Sequence, residues 1–260
     1  EAIRMLQTWL HALPFLLGAG FLTWLASVQL RNVTIVDTLW SLMFVIAAFS
    51  YAASTLPPGP RAQLVLVLVT VWGLRLAIYL GRRNFGHEED RRYQKIRRRN
   101  EPGFAWKSLY LVFGLQAVLA WVISLPLLGA IAGDASPLGW LDYAGAALCL
   151  IGLYFEAVGD WQLTRFKANP ANAGQVMDQG LWGLTRHPNY FGDFCVWWGF
   201  GLVALAAGAW WSLLGPALMS VLLLRVSGVT LLERDIGKRR PGYAEYIRRT
   251  NAFFPGPRRP

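Results

Sequence analysis

Residues 62–81 read AQLVLVLVTVWGLRLAIYLG. With Arg75 its one charge and no proline inside, the stretch matches the ~20 residues a helix needs to cross a bilayer core of ~30 Å. A helix apolar on every face has no solvated side, so hydrocarbon or other helices must surround it. The stretch is a membrane span. Working outward, comparable apolar runs occupy 5–30, 33–54, 106–132, 139–165, 188–208 and 210–231, which predicts about seven spanning helices. Pro57, Pro58 and Pro60 break the chain before the quoted stretch, and Asp134, Ser136 and Pro137 mark a turn before 139. Gly208 gives a tight connection between the last two runs, which could instead form one long helix with a re-entrant segment.

Composition agrees. The 260 residues are 55% hydrophobic and 15% charged, with 13 Trp, and the mean hydropathy is +0.35. Soluble domains carry about a quarter charged residues, and tryptophan gathers at membrane interfaces. The fold class is therefore all-α, a polytopic integral membrane bundle forming a single transmembrane domain over 1–260. The first apolar run continues too long, without a small-residue cleavage site, to read as a signal peptide.

The net charge is +10. A nucleic-acid partner is excluded, because the basic residues sit between apolar runs and form no soluble basic face. Their distribution sets orientation instead. With alternating topology, Arg4 and Arg61 lie toward one side and the remaining Lys and Arg toward the other. The 82–104 loop, the 166–187 loop and the tail after Leu232 are then cytosolic, with the N-terminus outside. The charge blocks of the 82–104 loop read equally as a solvated face or as a contact for anionic membrane lipid. Cys149 and Cys195 lie inside apolar runs with no ligand spacing, so neither a metal site nor a disulfide framework is expected.

Ionisable side chains inside spans are costly, and each marks a candidate site. Asp37, Trp40 and Ser41 share a face at i, i+3, i+4, and desolvation favours a neutral, proton-donating Asp37; the mundane alternative is an Asp bonded to a neighbouring helix. Trp72, Arg75 and Tyr79 fall at i, i+3, i+7. The Tyr79 phenol can donate to a substrate carbonyl, or the group is an interface trio with Arg75 reaching lipid phosphate. Glu156 and Asp160, with Arg165 and Lys167 following, suit ribose hydroxyls and phosphates respectively, or form an internal ion-pair network. The run Arg186-His187-Pro188-Asn189-Tyr190-Phe191-Gly192-Asp193 opens a helix at Pro188. A basic pair before free amides could hold an anion there, and Asn189, Asp193 and Trp197 line one face. Arg225 lies in an apolar run and needs an anion, either Glu233 or a cofactor phosphate. Arg239, Tyr243 and Tyr246 follow in the tail.

The Arg186–Asp193 run, Arg225 upstream of Glu233 and the Tyr243/Tyr246 tail resemble the steroid 5-alpha-reductase C-terminal domain, in its bacterial membrane branch. The resemblance covers roughly 140–260 and is traceable through Ile35–Trp40 and Trp72–Leu76. It implies a seven-helix bundle of the bacterial inner membrane, expected as a monomer. Substrate-side helices would occupy 1–132 and a cofactor-binding half 139–260. NADPH would be held by Glu156, Asp160, Arg165, Lys167, Arg186, His187, Asn189, Asp193, Arg225, Arg239, Tyr243 and Tyr246. A steroid-like apolar enone would lie against Trp40, Trp72 and Trp197, with Tyr79 and a protonated Asp37 donating to its carbonyl. Asp193 stands where animal members have glutamate, Glu156 where they have asparagine, and Lys167 where they have arginine.

Two other readings stay open. Isoprenylcysteine carboxyl methyltransferases share the Arg-His-Pro pattern and bind S-adenosylmethionine, but usually show a Glu-Glu pair where Glu233 is followed here by Arg234. A lipid-binding or transport protein is the non-enzymatic alternative. Its usual internal repeats and midplane helix breaks are not evident.

Overall fold

A computed structural model of the chain describes residues 2–55, 57–133, 136–226, 233 and 242–259. Of the described residues, 79% are helical and none is in a strand. Among the described residues five helices are long and apolar enough to cross a membrane, which makes this a multi-pass membrane protein: α1 (Ala2–Leu30), α2 (Ile35–Ala53), α3 (Pro60–Asn84), α5 (Phe104–Ile123) and α7 (Trp140–Ala168). Between α3 and α5 lies α4 (Arg91–Asn100), and α6 (Leu125–Ala132) follows α5. The sixth and seventh expected spans are α8 (Pro188–Ala206) and α9 (Trp210–Val226). Neither reaches the measure of the other five, because α8 opens on the polar Asn189, Tyr190 and Asp193 and α9 is shorter. The 210–231 run continues past Val226 into residues outside those described. A last helix, α10 (Tyr243–Arg249), lies in the tail.

The chain divides into two compact units: Glu1–Asp142 with Val203–Gly215, and Tyr143–Leu202 with Pro216–Pro260. In the first unit, α1, α2 and α3 run alternately up and down. Their connections at one end meet the segment before α4: Asn32 Nδ2 donates to the His87 carbonyl, the Val33 amide to Glu89, and the Asp90 amide to Thr34 Oγ1. At the other end Arg61 is bidentate to Asp142, Nε to Oδ1 at 2.7 Å and Nη2 to Oδ2 at 3.0 Å. The single span expected over 106–132 breaks at Ser124, which separates α5 from α6. Pro126 causes this, because it lacks an amide donor and its ring clashes with the carbonyl four residues back. Every residue of α6 is buried. On α1, by contrast, Leu6, Leu10, Leu17 and Leu25 are exposed, the surface a bilayer would cover.

In the second unit, α7 and α8 pack antiparallel across glycines. A Cβ on Gly192 would lie 2.5 Å from the Gly152 carbonyl oxygen and 2.8 Å from the Glu156 amide nitrogen, and Gly199 is as tight against Gly145 and Cys149. The neighbouring atoms are backbone and cannot give way, so Gly192→Ala must push the helices apart. The expected cost is about 1 to 3 kcal/mol, by analogy with overpacked cores. Thermal unfolding of the variant in detergent measures it, and an unchanged midpoint would show that the helices separate freely.

Candidate functional site

The close α7–α8 approach brings together the polar groups expected on those helices. Glu156 and Asp160 sit one turn apart on α7, only 2% and 4% exposed. From the first turn of α8, Asn189 Nδ2 lies 3.5 Å from Asp160 Oδ1. Gly192 packs directly on Glu156, and Asp193 follows, partly buried. Asn189 Oδ1 accepts from the Tyr190 amide at 3.0 Å, which fixes its orientation. The loop before α8 is fastened to α7: Trp182 Nε1 donates to the Gly159 carbonyl, and Gln162 Oε1 accepts from the Leu181 amide. Gly180, at φ 58, makes the turn that permits this.

Arg186 and His187, expected to grip a cofactor phosphate, are engaged within the protein. Arg186 Nε and Nη2 donate to the two carboxylate oxygens of Glu233 at 2.7 and 3.2 Å, and Nη1 donates to the carbonyls of Ile247 and Thr250. His187 Nε2 meets Glu233 Oε1 at 3.0 Å. The Arg186 amide bonds the Asn251 carbonyl and Thr185 Oγ1 the Phe253 carbonyl. The motif is therefore the clamp that seats the C-terminal segment. Burial would raise the Glu233 carboxyl, but hydrogen bonds from His187 and Arg186 outweigh it and hold the group down at about 2. A carboxylate so depressed stabilises the fold fully above its ordinary value of 4.5 and loses that contribution as pH falls toward 2. Melting profiles taken through that window should therefore drop steeply in the wild type. In Glu233→Gln the drop should be shallower, and parallel profiles would remove Glu233 from the clamp.

Arg225, expected buried, is exposed. Glu233, its nearest candidate partner in sequence, is bonded to Arg186 and His187. Arg165 is exposed and lies over the Trp161 ring at 5.3 Å, and Lys167 is exposed. Arg239 falls outside the described residues. Tyr243 and Tyr246 are buried, and the Tyr246 hydroxyl donates to the Trp182 carbonyl at 2.6 Å, so these rings help to pack the tail. Sequence reasoning missed a cleft of ≈ 590 Å³ formed by residues 173–176, Asp178, residues of α10 and its two flanks, and Arg258. Of the expected residues, Tyr246 alone lines it.

In the first unit, Asp37 is an acceptor where a protonated donor was expected. Arg92 Nη2 reaches its Oδ2 at 2.8 Å and the Tyr93 hydroxyl its Oδ1 at 2.6 Å, with Gln116 Nε2 3.3 Å from that hydroxyl. These bonds tie Asp37 to α4, as the alternative of an Asp bonded to a neighbouring helix anticipates. Burial would lower the Arg92 guanidinium, yet the charges of Asp37 and Asp90 raise it above its usual value. Nothing in the sequence tied Arg92 and Tyr93 to Asp37, since they lie 55 and 56 residues away. Tyr79 is partly buried, with the Arg83 guanidinium 5.8 Å from its ring. Trp40 and Trp72 both pack on Phe44, at 5.1 and 5.8 Å between ring centroids. Trp197, in the second unit, is fully buried and edge-on to Phe200. No cluster that could hold a metal ion occurs among the described residues.

A family model described as "Protein of unknown function (DUF1295)" matches residues 23–250. The chain is also similar to a protein of Schizosaccharomyces pombe described as uncharacterized protein C594.04c. The two are 23% identical over 280 residues, covering 93% of this chain and 80% of the yeast protein. No solved structure matches.

Proposed function

Because the chain belongs to DUF1295, a membrane family related to the steroid 5-alpha-reductases, we propose that it is an NADPH-dependent reductase of an apolar α,β-unsaturated ketone such as a 3-oxo-Δ4 steroid. The observation that carries this reading is the pair of buried carboxylates, Glu156 and Asp160, set against Asn189 where α7 meets α8. Ionisable groups inside a spanning helix mark a functional site by default. Their chemistry fits the ribose of a dinucleotide, whose hydroxyls donate to carboxylates while the Asn189 amide offers both a donor and an acceptor. Arg165 and Lys167, exposed at the end of the same helix, suit its phosphates. Arg186 and Arg225 take no part in this assignment.

NADPH bound there would supply a hydride for the β-carbon of the enone. The protein's part is electrostatic. Tyr79, on α3, would offer a phenolic hydrogen to a carbonyl oxygen on which negative charge grows, a contribution of a few kcal/mol in a dry site. Asp37, ion-paired to Arg92 and bonded to Tyr93, is given the role of a positioning residue. The α-carbon takes its proton from solvent. The basic ends of the spans face the cytosol, where the nucleotide is available.

A second reading is favoured by the acidity of the same cluster. With Arg186 neutralised by Glu233 and Arg225 exposed, the buried carboxylates would also suit a cationic sulfonium, as in an S-adenosylmethionine-dependent membrane methyltransferase. One assay separates the two. Detergent-solubilised protein should consume NADPH only when an enone steroid is added; methyl transfer from S-adenosylmethionine without NADPH consumption would replace the first reading by the second.

A further inference from the structure

The loop that precedes α5 carries the densest run of cations in the chain, and the structure sorts them onto two sides of α4. The inward side holds Arg92, Tyr93, Ile96, Arg97 and Asn100. Arg92 and Tyr93 bond Asp37; Arg97 bonds both oxygens of Glu89 and lies 4.6 Å over the Phe104 ring; Lys107 Nζ donates to the Asn100 carbonyl. Ile96 packs on the core of the first unit. The outward side presents Arg91, Lys95, Arg98 and Arg99, all exposed, and carries no acid. Arg98 makes a long 3.4 Å contact to Gln94, and the exposed acids nearest in sequence, Glu88 and Glu101, lie beyond the ends of the helix.

The outward side is charged throughout, so it cannot be buried in hydrocarbon. The helix lies where α3 ends and α5 begins, and therefore at the end of two membrane spans. Arg82 and Arg83 are exposed at the last turn of α3. Two large aromatics flank the same segment, Phe85 at 88% and Trp106 at 73% exposed, as interfacial anchors do. The inward bonds fix the helix in advance, so the outward cations meet a ligand without further ordering of the backbone.

We infer that the outward side of α4 is a binding surface for anionic phospholipid headgroups in the leaflet it meets, with Arg91, Arg98 and Arg99 engaging the phosphates. This goes beyond the reductase reading and does not depend on it. Each basic residue near an anionic membrane surface strengthens attraction about fivefold, with attenuation in salt over a Debye length.

The test uses the full chain reconstituted in phosphatidylcholine vesicles with spin-labelled phosphatidylglycerol or spin-labelled phosphatidylcholine as the probe of motionally restricted boundary lipid. Wild-type protein should select the glycerol lipid severalfold, and high salt should remove the selection. Arg91→Gln/Arg98→Gln/Arg99→Gln should reduce the preference at least fivefold or to unity. The corresponding triple lysine variant should retain it, which separates charge loss from misfolding. Equal restriction of both lipids by wild-type protein, or undiminished preference in a folded glutamine variant, overturns the inference. Displacement of the lipid by inorganic phosphate at matched ionic strength also overturns it, because the surface would then be a small-anion site.

Discussion

Asp142→Ala is expected to lower the unfolding free energy by about 3–5 kcal/mol, because it leaves a buried guanidinium without its counter-charge. Arg61 and Asp142 are 3% and 0% exposed, and two hydrogen bonds join them, at 2.7 and 3.0 Å. Asp142 also accepts from the Gly139 amide at the start of α7. Removal of one partner is costly, whereas replacement of both by apolar residues of similar volume is often close to neutral. The double variant Arg61→Leu/Asp142→Leu should therefore recover most of the loss. Chemical unfolding in detergent micelles measures both. A single-variant loss below about 1 kcal/mol would place the pair among the weak surface ion pairs.

Asp160→Asn and Glu156→Gln are expected to weaken nucleotide binding by about tenfold to hundredfold each, since hydrogen bonds to charged groups contribute about 1.5–3 kcal/mol. Both substitutions keep the side-chain volume, so the glycine-lined approach of α7 to α8 is undisturbed. Turnover at subsaturating NADPH should fall with affinity, while saturating NADPH restores much of it. Titration of each variant with NADPH, followed by tryptophan fluorescence, gives the affinities. Wild-type affinity in both variants would detach these carboxylates from the cofactor.

What could be seen in the sequence was whatever depends on residues close together in it. The 62–81 run lies inside α3, Pro60 stands at its first turn, and the structure extends it to Asn84. Glu156 and Asp160 share a face because they are four residues apart, and Pro188 correctly marks the start of α8. The pairings that decide the rest are remote. Glu233 looked like a partner for Arg225 eight residues before it, but its partners are Arg186 and His187, 47 and 46 residues back. Arg61 served as a topological marker, and its bond to Asp142 spans 81 residues. The segment RRYQKIRRRN has no apolar stripe to announce a helix, and the bonds that fasten α4 come from Asp37 and Glu89. At Asp37, burial was legible, whereas its bonds from Arg92 and Tyr93 were not.

The central claim is that the Glu156–Asp160–Asn189 cluster belongs to an NADPH site. The most direct measurement is the thermal midpoint of the detergent-solubilised protein with NADPH, with S-adenosylmethionine and with neither. Ligand at about 100 times its dissociation constant adds roughly 2.7 kcal/mol to the native state, enough to move the midpoint by several degrees. The account predicts a rise with NADPH that Asp160→Asn diminishes, and none with S-adenosylmethionine. A rise with S-adenosylmethionine alone, or with neither ligand, contradicts it.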